Sequence, residues 1–395
     1  MRDLIHRRIM KRNLLTVFLL ALLAACNTQT STPQSADAPP SPYADTPVPA
    51  EIDAPLVEAP PLIELDMFNE LDGWGVSETQ IVRTNDSGIT WYNVTPPEID
   101  ETGFGVDLFA LDADHAWMQK PDFENYPNSG TLYRTTDGGL TWYDAAVPFS
   151  RGDLVFVNEQ NGWVLADLGI GAGSNAVAVF QTTDGGATWH QTYTNDPNHE
   201  NARDSLPLGG IKSGLVSLDM NTAWVSGVIY APGEAYLYRT DDGGRNWTQI
   251  ALTLPEGAQN FELGIDDDQM EFVSAADGFI AMRMSGESTQ TAFYVTNDSG
   301  DTWTLMPMIL SGAGETEFLS AQEVVMYDGE QFYVTHDAAR TWVTVAPDIV
   351  FGETFANMEL VDTLSGWVIT LDPTTNHRSL YRTSDGGATW FPVIP

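Results

Sequence analysis

The chain has 395 residues, 43% apolar and 11% aromatic, enough to bury a sizeable core and too many for a chain disordered throughout. Its 17 basic and 55 acidic side chains give a formal net charge of −38, which argues against nucleic acid or an anionic lipid surface as a partner. Such acidity serves solubility in an exposed, salty setting, or attracts a basic protein or a cation.

The first 13 residues hold five bases, Arg2, Arg7, Arg8, Lys11 and Arg12, and Leu14 to Leu23 form an apolar run. With small residues before Cys26, this reads as a secretory signal over 1–25, too short in its apolar part to be a spanning helix. Met10 is an equally good start. Cys26 is the only cysteine, so no disulfide forms within the chain. Leu23-Ala24-Ala25-Cys26 resembles the bacterial lipobox, in which the thiol is acylated and Cys26 becomes the new N-terminus; the alternative is a small apolar residue in an ordinary signal. The lipobox reading implies an extracytoplasmic lipoprotein anchored to the bacterial cell membrane. Residues 26–61, rich in Ser, Thr, Ala and Pro, read as an extended tether.

From residue 62 onward the chain repeats. Thr84-Asn85-Asp86-Ser87-Gly88-Ile89-Thr90-Trp91 recurs at Thr135 to Trp142, Thr182 to Trp189, Thr240 to Trp247, Thr296 to Trp303, Thr335 to Trp342 and Thr383 to Trp390. Each copy is Thr-x-Asp-x-x-x-(Thr/Asn)-Trp. An Asp side chain accepts hydrogen bonds from N–H groups further along its own loop, and glycines supply the positive φ of a tight hairpin. The aspartates Asp86, Asp137, Asp184, Asp242, Asp298, Asp337 and Asp385 are therefore read as structural, not catalytic. The copy at Asp337-Ala338-Ala339-Arg340 lacks both glycines, which predicts a strained or reshaped turn there.

A second marker precedes most copies: Gly73-Trp74, Ala116-Trp117, Gly162-Trp163, Ala223-Trp224, Gly278-Phe279 and Gly366-Trp367. The two markers use all 12 tryptophans, leaving none as a dedicated sugar platform. Each unit reads as four strands, the first unit as Leu62–Phe68, Gly73–Ser77, Gln80–Thr84 and Thr90–Val94, with the octad joining the third to the fourth. The reading is all-β: a seven-bladed β-propeller of four-stranded antiparallel blades over 62–395, with blades complete in sequence.

The octad is the Asp-box, or BNR repeat. Together with Gly-Trp and Arg-Thr-x-Asp-Gly-Gly-x-Thr-Trp, it resembles the photosystem II assembly and stability factor family over the whole folded part. That resemblance implies a non-enzymatic assembly factor, some members being lipoproteins. Sialidases, xyloglucan-cleaving glycosidases and sortilin-type receptors share the Asp-box, so it specifies fold better than task.

The enzymatic alternative is a glycoside hydrolase working through paired carboxylates about 5–10 Å apart. A sialidase needs an arginine cluster. Arg83, Arg134, Arg239 and Arg382 belong to the repeat, Arg245 and Arg340 lie inside octads, and the Arg-Ile-Pro signature of sialidases is absent. No cofactor loop and no histidine metal spacing is present; Asp266-Asp267-Asp268 reads as a solvated loop, with Ca²⁺ as the alternative. Insertions fall at 120–130, 167–175, 194–213, 252–268, 284–290 and 371–378, on the face opposite the octads. There the expected site for a protein partner comprises Tyr126, Tyr230, Arg203, Arg283 and Arg378, the protein being a monomer.

Overall fold

The computed structural model describes residues 52–99 and 106–394. Cys26, the expected signal segment and most of the expected tether lie outside these residues. Among the described residues, short β-branched and aromatic runs closed by Gly, Asn and Asp form the strands, with only three one-turn 3₁₀ segments as helix. Second strands such as Gly73–Ser77 and Ala223–Val228 are buried at every residue, because a neighbouring sheet covers each of their faces.

The strands assemble in chain order into antiparallel sheets. Four sheets have four strands each, beginning at Asp107, Gly152, Glu315 and Phe355. First strands of neighbouring sheets lie against one another: Asp107–Ala110 on Gly152–Phe156, Gly152–Phe156 on Ile211–Ser217, and Glu315–Phe318 on Phe355–Leu360. Phe355–Leu360 in turn meets Leu62–Met67, so the last sheet packs on the first and the ring closes. This is the arrangement of a β-propeller. At the closure, Leu62, Leu65, Val82 and Trp91 share one core cluster with Trp367 and Ile369. Truncating such an aromatic to alanine typically costs about 3–5 kcal/mol.

Two features differ from the sequence reading. The folded part starts before residue 62, because Leu56–Val57 pairs with Trp91–Asn93 as a fifth strand of the first sheet (Leu56↔Tyr92, Val57↔Trp91). An apolar Leu-Val pair beside an open sheet edge is better placed there than in a solvated tether. The second difference is a nine-stranded sheet, in which Val228↔Gly264 joins strands of two successive sequence units. Its Gly278–Ser285 strand faces two short strands, Glu262–Gly264 and Met270–Phe272, in place of one. Between them Asp267–Gln269 makes a 3₁₀ turn held by Asp266 N–H donating to Gln269 Oε1 at 3.1 Å.

The octads are turns between third and fourth strands, and their hydrogen bonds repeat. At Asp137, Oδ1 accepts from Thr135 Oγ1 at 2.9 Å and Thr141 N–H at 2.8 Å, while Oδ2 accepts from Thr141 Oγ1 at 2.6 Å. Gly139 N–H donates to Thr135 Oγ1 at 2.9 Å. The glycine-free copy keeps this shape: Asp337 Oδ1 accepts from Thr341 N–H at 2.8 Å, and Ala339 N–H donates to Thr335 Oγ1 at 3.1 Å. Ala338 and Ala339 reach it at φ 57° and 60°, so the turn is strained but not reshaped.

Candidate functional site

Each octad is also tied to the turn between the first and second strands of its own unit. Gly138 N–H donates to Asp114 O at 2.9 Å, Gly185 N–H to Gln160 O at 2.8 Å and Gly386 N–H to Leu364 O at 2.9 Å. These turns therefore share one face. Alternation of antiparallel strands sends the second-to-third turns, and the links between units, to the other face. The octad aspartates are engaged on the first face: the hydroxyl and N–H of Thr341 hold Asp337 down to about 2. A carboxylate so held stays ionised and fully engaged at neutral pH, which suits a staple and not a proton donor.

The arginines of the repeat are latches. Arg239 lies 5.1 Å over the Trp224 ring and pairs with Asp301 of the next unit at 2.6 Å. Arg382 lies 5.3 Å over Trp367 and faces Glu70 of the first sheet at 3.6 Å.

Four of the five residues expected at a partner site lie at loop-face ends of strands or in loop-face turns, Tyr230 and Arg283 on the nine-stranded sheet and Tyr126 and Arg378 on two others. Tyr126 lies under the Arg151 guanidinium, 5.8 Å from its ring centre, and Arg151 pairs with Asp167 at 2.6 Å. Burial first, then the Asp167 charge, pushes the Tyr126 hydroxyl up to about 12. Arg283 is engaged in an ion pair with Asp266 at 2.7 Å. Tyr230 is 62% exposed and its ring covers Gly173. Arg378 opens the third strand of the last sheet, Arg378–Thr383.

Arg203 is the exception. Its loop folds back along the outer strand His190–Thr194, Arg203 N–H donating to Thr194 O at 2.9 Å. Its guanidinium then donates to Arg245 O, inside an octad, at 2.5 Å. This places Arg203 beside the octad face, not with the loops. No hydrogen bond, ion pair or ring contact joins any two of the five among the described residues.

The sequence reading missed the base of the Tyr230 region. Gly210 N–H donates to Gly173 O at 3.0 Å, which ties the 206–210 segment to the tip of the hairpin Gly162–Gly171/Ser174–Thr182. Exposed Ile170 and Leu208 lie on these two segments, near Tyr230. Beneath them Lys212 is buried, and its Nζ donates to Asn175 O, Leu208 O and Gly210 O at 3.0, 2.9 and 3.2 Å. Burial pushes the Lys212 ammonium down to about 8. One ammonium thus clamps both segments and makes a rigid base for three apolar side chains.

Also missed were the acids of the first strands. Asp66, Glu271, Glu317 and Glu359 hold the same register position, opposite Trp74, Phe279, Val325 and Trp367. The three glutamates are buried. The signal was present as an acid eight positions before the second-strand markers Trp74, Phe279 and Trp367, whereas Phe109, Val155 and Val216 stand at that place before Trp117, Trp163 and Trp224. Among the described residues, no group of three or more His, Cys, Asp or Glu side chains is placed to hold a metal ion.

No protein-family model matches the chain. It is 26% identical over 338 residues to a xyloglucanase from Paenibacillus sp, covering 71% of this chain and 32% of that one. Among solved structures it resembles the GH74 xyloglucanase from Xanthomonas campestris, with a TM-score of 0.56, 12% identity, and coverage of 86% of this chain and 55% of that one. It also resembles YCF48 bound to a D1 peptide, with a TM-score of 0.52, 16% identity, and coverage of 86% of this chain and 99% of that one. The fold is that of a β-propeller. The chain spans about a third of the curated xyloglucanase and nearly all of the YCF48 chain.

Proposed function

We propose that this protein is a lipid-anchored, extracytoplasmic binding protein: a seven-bladed Asp-box propeller that holds a protein partner on its loop face without catalysing a reaction. In this reading the nine-stranded sheet counts as two blades, and Cys26 carries the anchor. The observation that carries it is the exposed trio Ile170, Leu208 and Tyr230 on a base fixed by Lys212. Apolar side chains held rigidly on loops of a stable scaffold bind at little ordering cost. The near-complete coverage of a solved chain that holds a peptide supports a peptide-binding role. The net charge of −38 favours a partner with a basic rim.

The test uses the lipidated protein in its own membrane. An Ile170→Asp/Tyr230→Ala variant should lose its co-purifying partner, while Leu140→Asp, at an exposed position in an octad, should keep it. Equal capture by both variants would remove the loop face from the account.

The second reading is a glycoside hydrolase, favoured by the xyloglucanase relative and by the acids of the first strands. It predicts release of reducing ends from xyloglucan, abolished by Glu317→Gln or Glu359→Gln.

A further inference from the structure

Among the ten arginines of the described residues, nine have a partner. Arg83, Arg151, Arg239, Arg283 and Arg382 face carboxylates. Arg134, Arg203, Arg245 and Arg340 donate to backbone carbonyls. Arg378 has neither. In a chain with 55 acids and 17 bases, an arginine facing neither a carboxylate nor a carbonyl is out of keeping with the rest.

Arg378 lines a groove of about 220 Å³ where the last sheet meets the first. Leu62, Ile89, Trp91, Leu380, Val393 and Ile394 supply its apolar walls, several of them from the cluster that closes the ring. Polar side chains are few: Ser379, Tyr381 and His377 besides Arg378. The guanidinium is half-buried, and burial lowers its pKa from the ordinary value; Glu78, whose charge acts on it, is exposed and makes no ion pair with it. A partly desolvated cation without a partner is costly, and an anion placed against it restores the lost solvation.

We propose that this groove binds a small hydrophobic monocarboxylate, with its carboxylate on the Arg378 guanidinium and its apolar body on the Leu62, Trp91 and Val393 walls. The fork of a guanidinium matches a carboxylate with two parallel hydrogen bonds. Phosphate and sulfate fit less well: they carry more charge into a protein at −38 and ask for more donors than the groove has. A neutral sugar would leave both the charge and its own hydroxyls without partners. The volume holds roughly ten non-hydrogen atoms. This site is separate from the loop-face patch, and either can exist without the other.

Titration calorimetry with 4-phenylbutyrate, and with its neutral amide as control, tests the proposal on the full chain. The acid should bind saturably, at least tenfold tighter than the amide. Arg378→Gln should lower the affinity for the acid by tenfold or more and leave the weak binding of the amide unchanged. A second pair of variants stands at the exposed groove wall, where folding is not at stake. Ile89→Glu should weaken the acid through like charge, and Ile89→Gln should not. Equal binding of acid and amide, undiminished binding by Arg378→Gln, or no saturable binding of the acid would each overturn the proposal.

Discussion

Trp367 Nε1–H donates to the carbonyl of Ser87 at 3.0 Å, joining positions 280 residues apart and fastening the last sheet to the first. The same latch runs between other neighbours: Trp74 to Asp112 O at 3.0 Å, Trp117 to Gly185 O at 2.9 Å and Trp163 to Asp219 O at 3.0 Å. Trp224, equally buried, has no acceptor for its Nε1. Trp→Phe at either site removes similar volume, but only Trp367→Phe strips a buried carbonyl of its donor. Trp367→Phe is thus expected to lose about 1–3 kcal/mol more than Trp224→Phe in urea unfolding. Equal losses would show that the bond contributes nothing to closure.

The turns give a second prediction. At Gly139, with φ 83°, an added Cβ would lie 2.6 Å from Val94 Cβ, so Gly139→Ala carries both backbone strain and a clash. A loss of about 2 kcal/mol or more is expected. Ala339 holds the equivalent place at φ 60° with its methyl already accommodated, and Ala339→Gly is expected to change stability by less than about 1 kcal/mol. Thermal melts of the two variants decide it.

These turns were legible from sequence because their chemistry is local: every bond from Asp337 ends within four residues of it. What was illegible depends on distant contacts. Arg203 was expected among the loops because its segment is an insertion, but whether an insertion stands up or folds back rests on a carbonyl 42 residues away, that of Arg245. Leu56 and Val57 were masked by the surrounding prolines, and only the open edge at Trp91–Asn93 recruits them. The Lys212 clamp joins three carbonyls from two separate segments, which no spacing rule reports.

Acid stability should carry the signature of the staples. The folded pKa of Asp337, about 2, lies below the ordinary 3.8, so its stabilising effect is full above about pH 4 and fades as pH falls toward 2. Asp337→Asn removes that titration. The gap in urea midpoint between the natural protein and the variant should therefore narrow between pH 4 and pH 2. A gap that stays constant over this window would contradict the assignment.

Lys212→Met keeps the bulk of the side chain but leaves Asn175 O, Leu208 O and Gly210 O without their donor. Amide hydrogen exchange is expected to accelerate by tenfold or more in the linked segments 173–175 and 208–210, and to stay unchanged in the octad at 240–247. Unaltered exchange at Gly210, whose N–H bonds Gly173 O, would mean that the ammonium does not hold the base.

The most direct measurement of what this propeller does is photo-crosslinking in the native membrane, with benzoylphenylalanine placed in turn at Tyr230, Ile170 and Leu140. The expected result is one discrete protein adduct from Tyr230 and Ile170 on the loop face and none from Leu140 among the octads. Adducts from Leu140 alone, or none from any of the three in a protein that hydrolyses xyloglucan, would contradict the account and leave the enzyme reading standing.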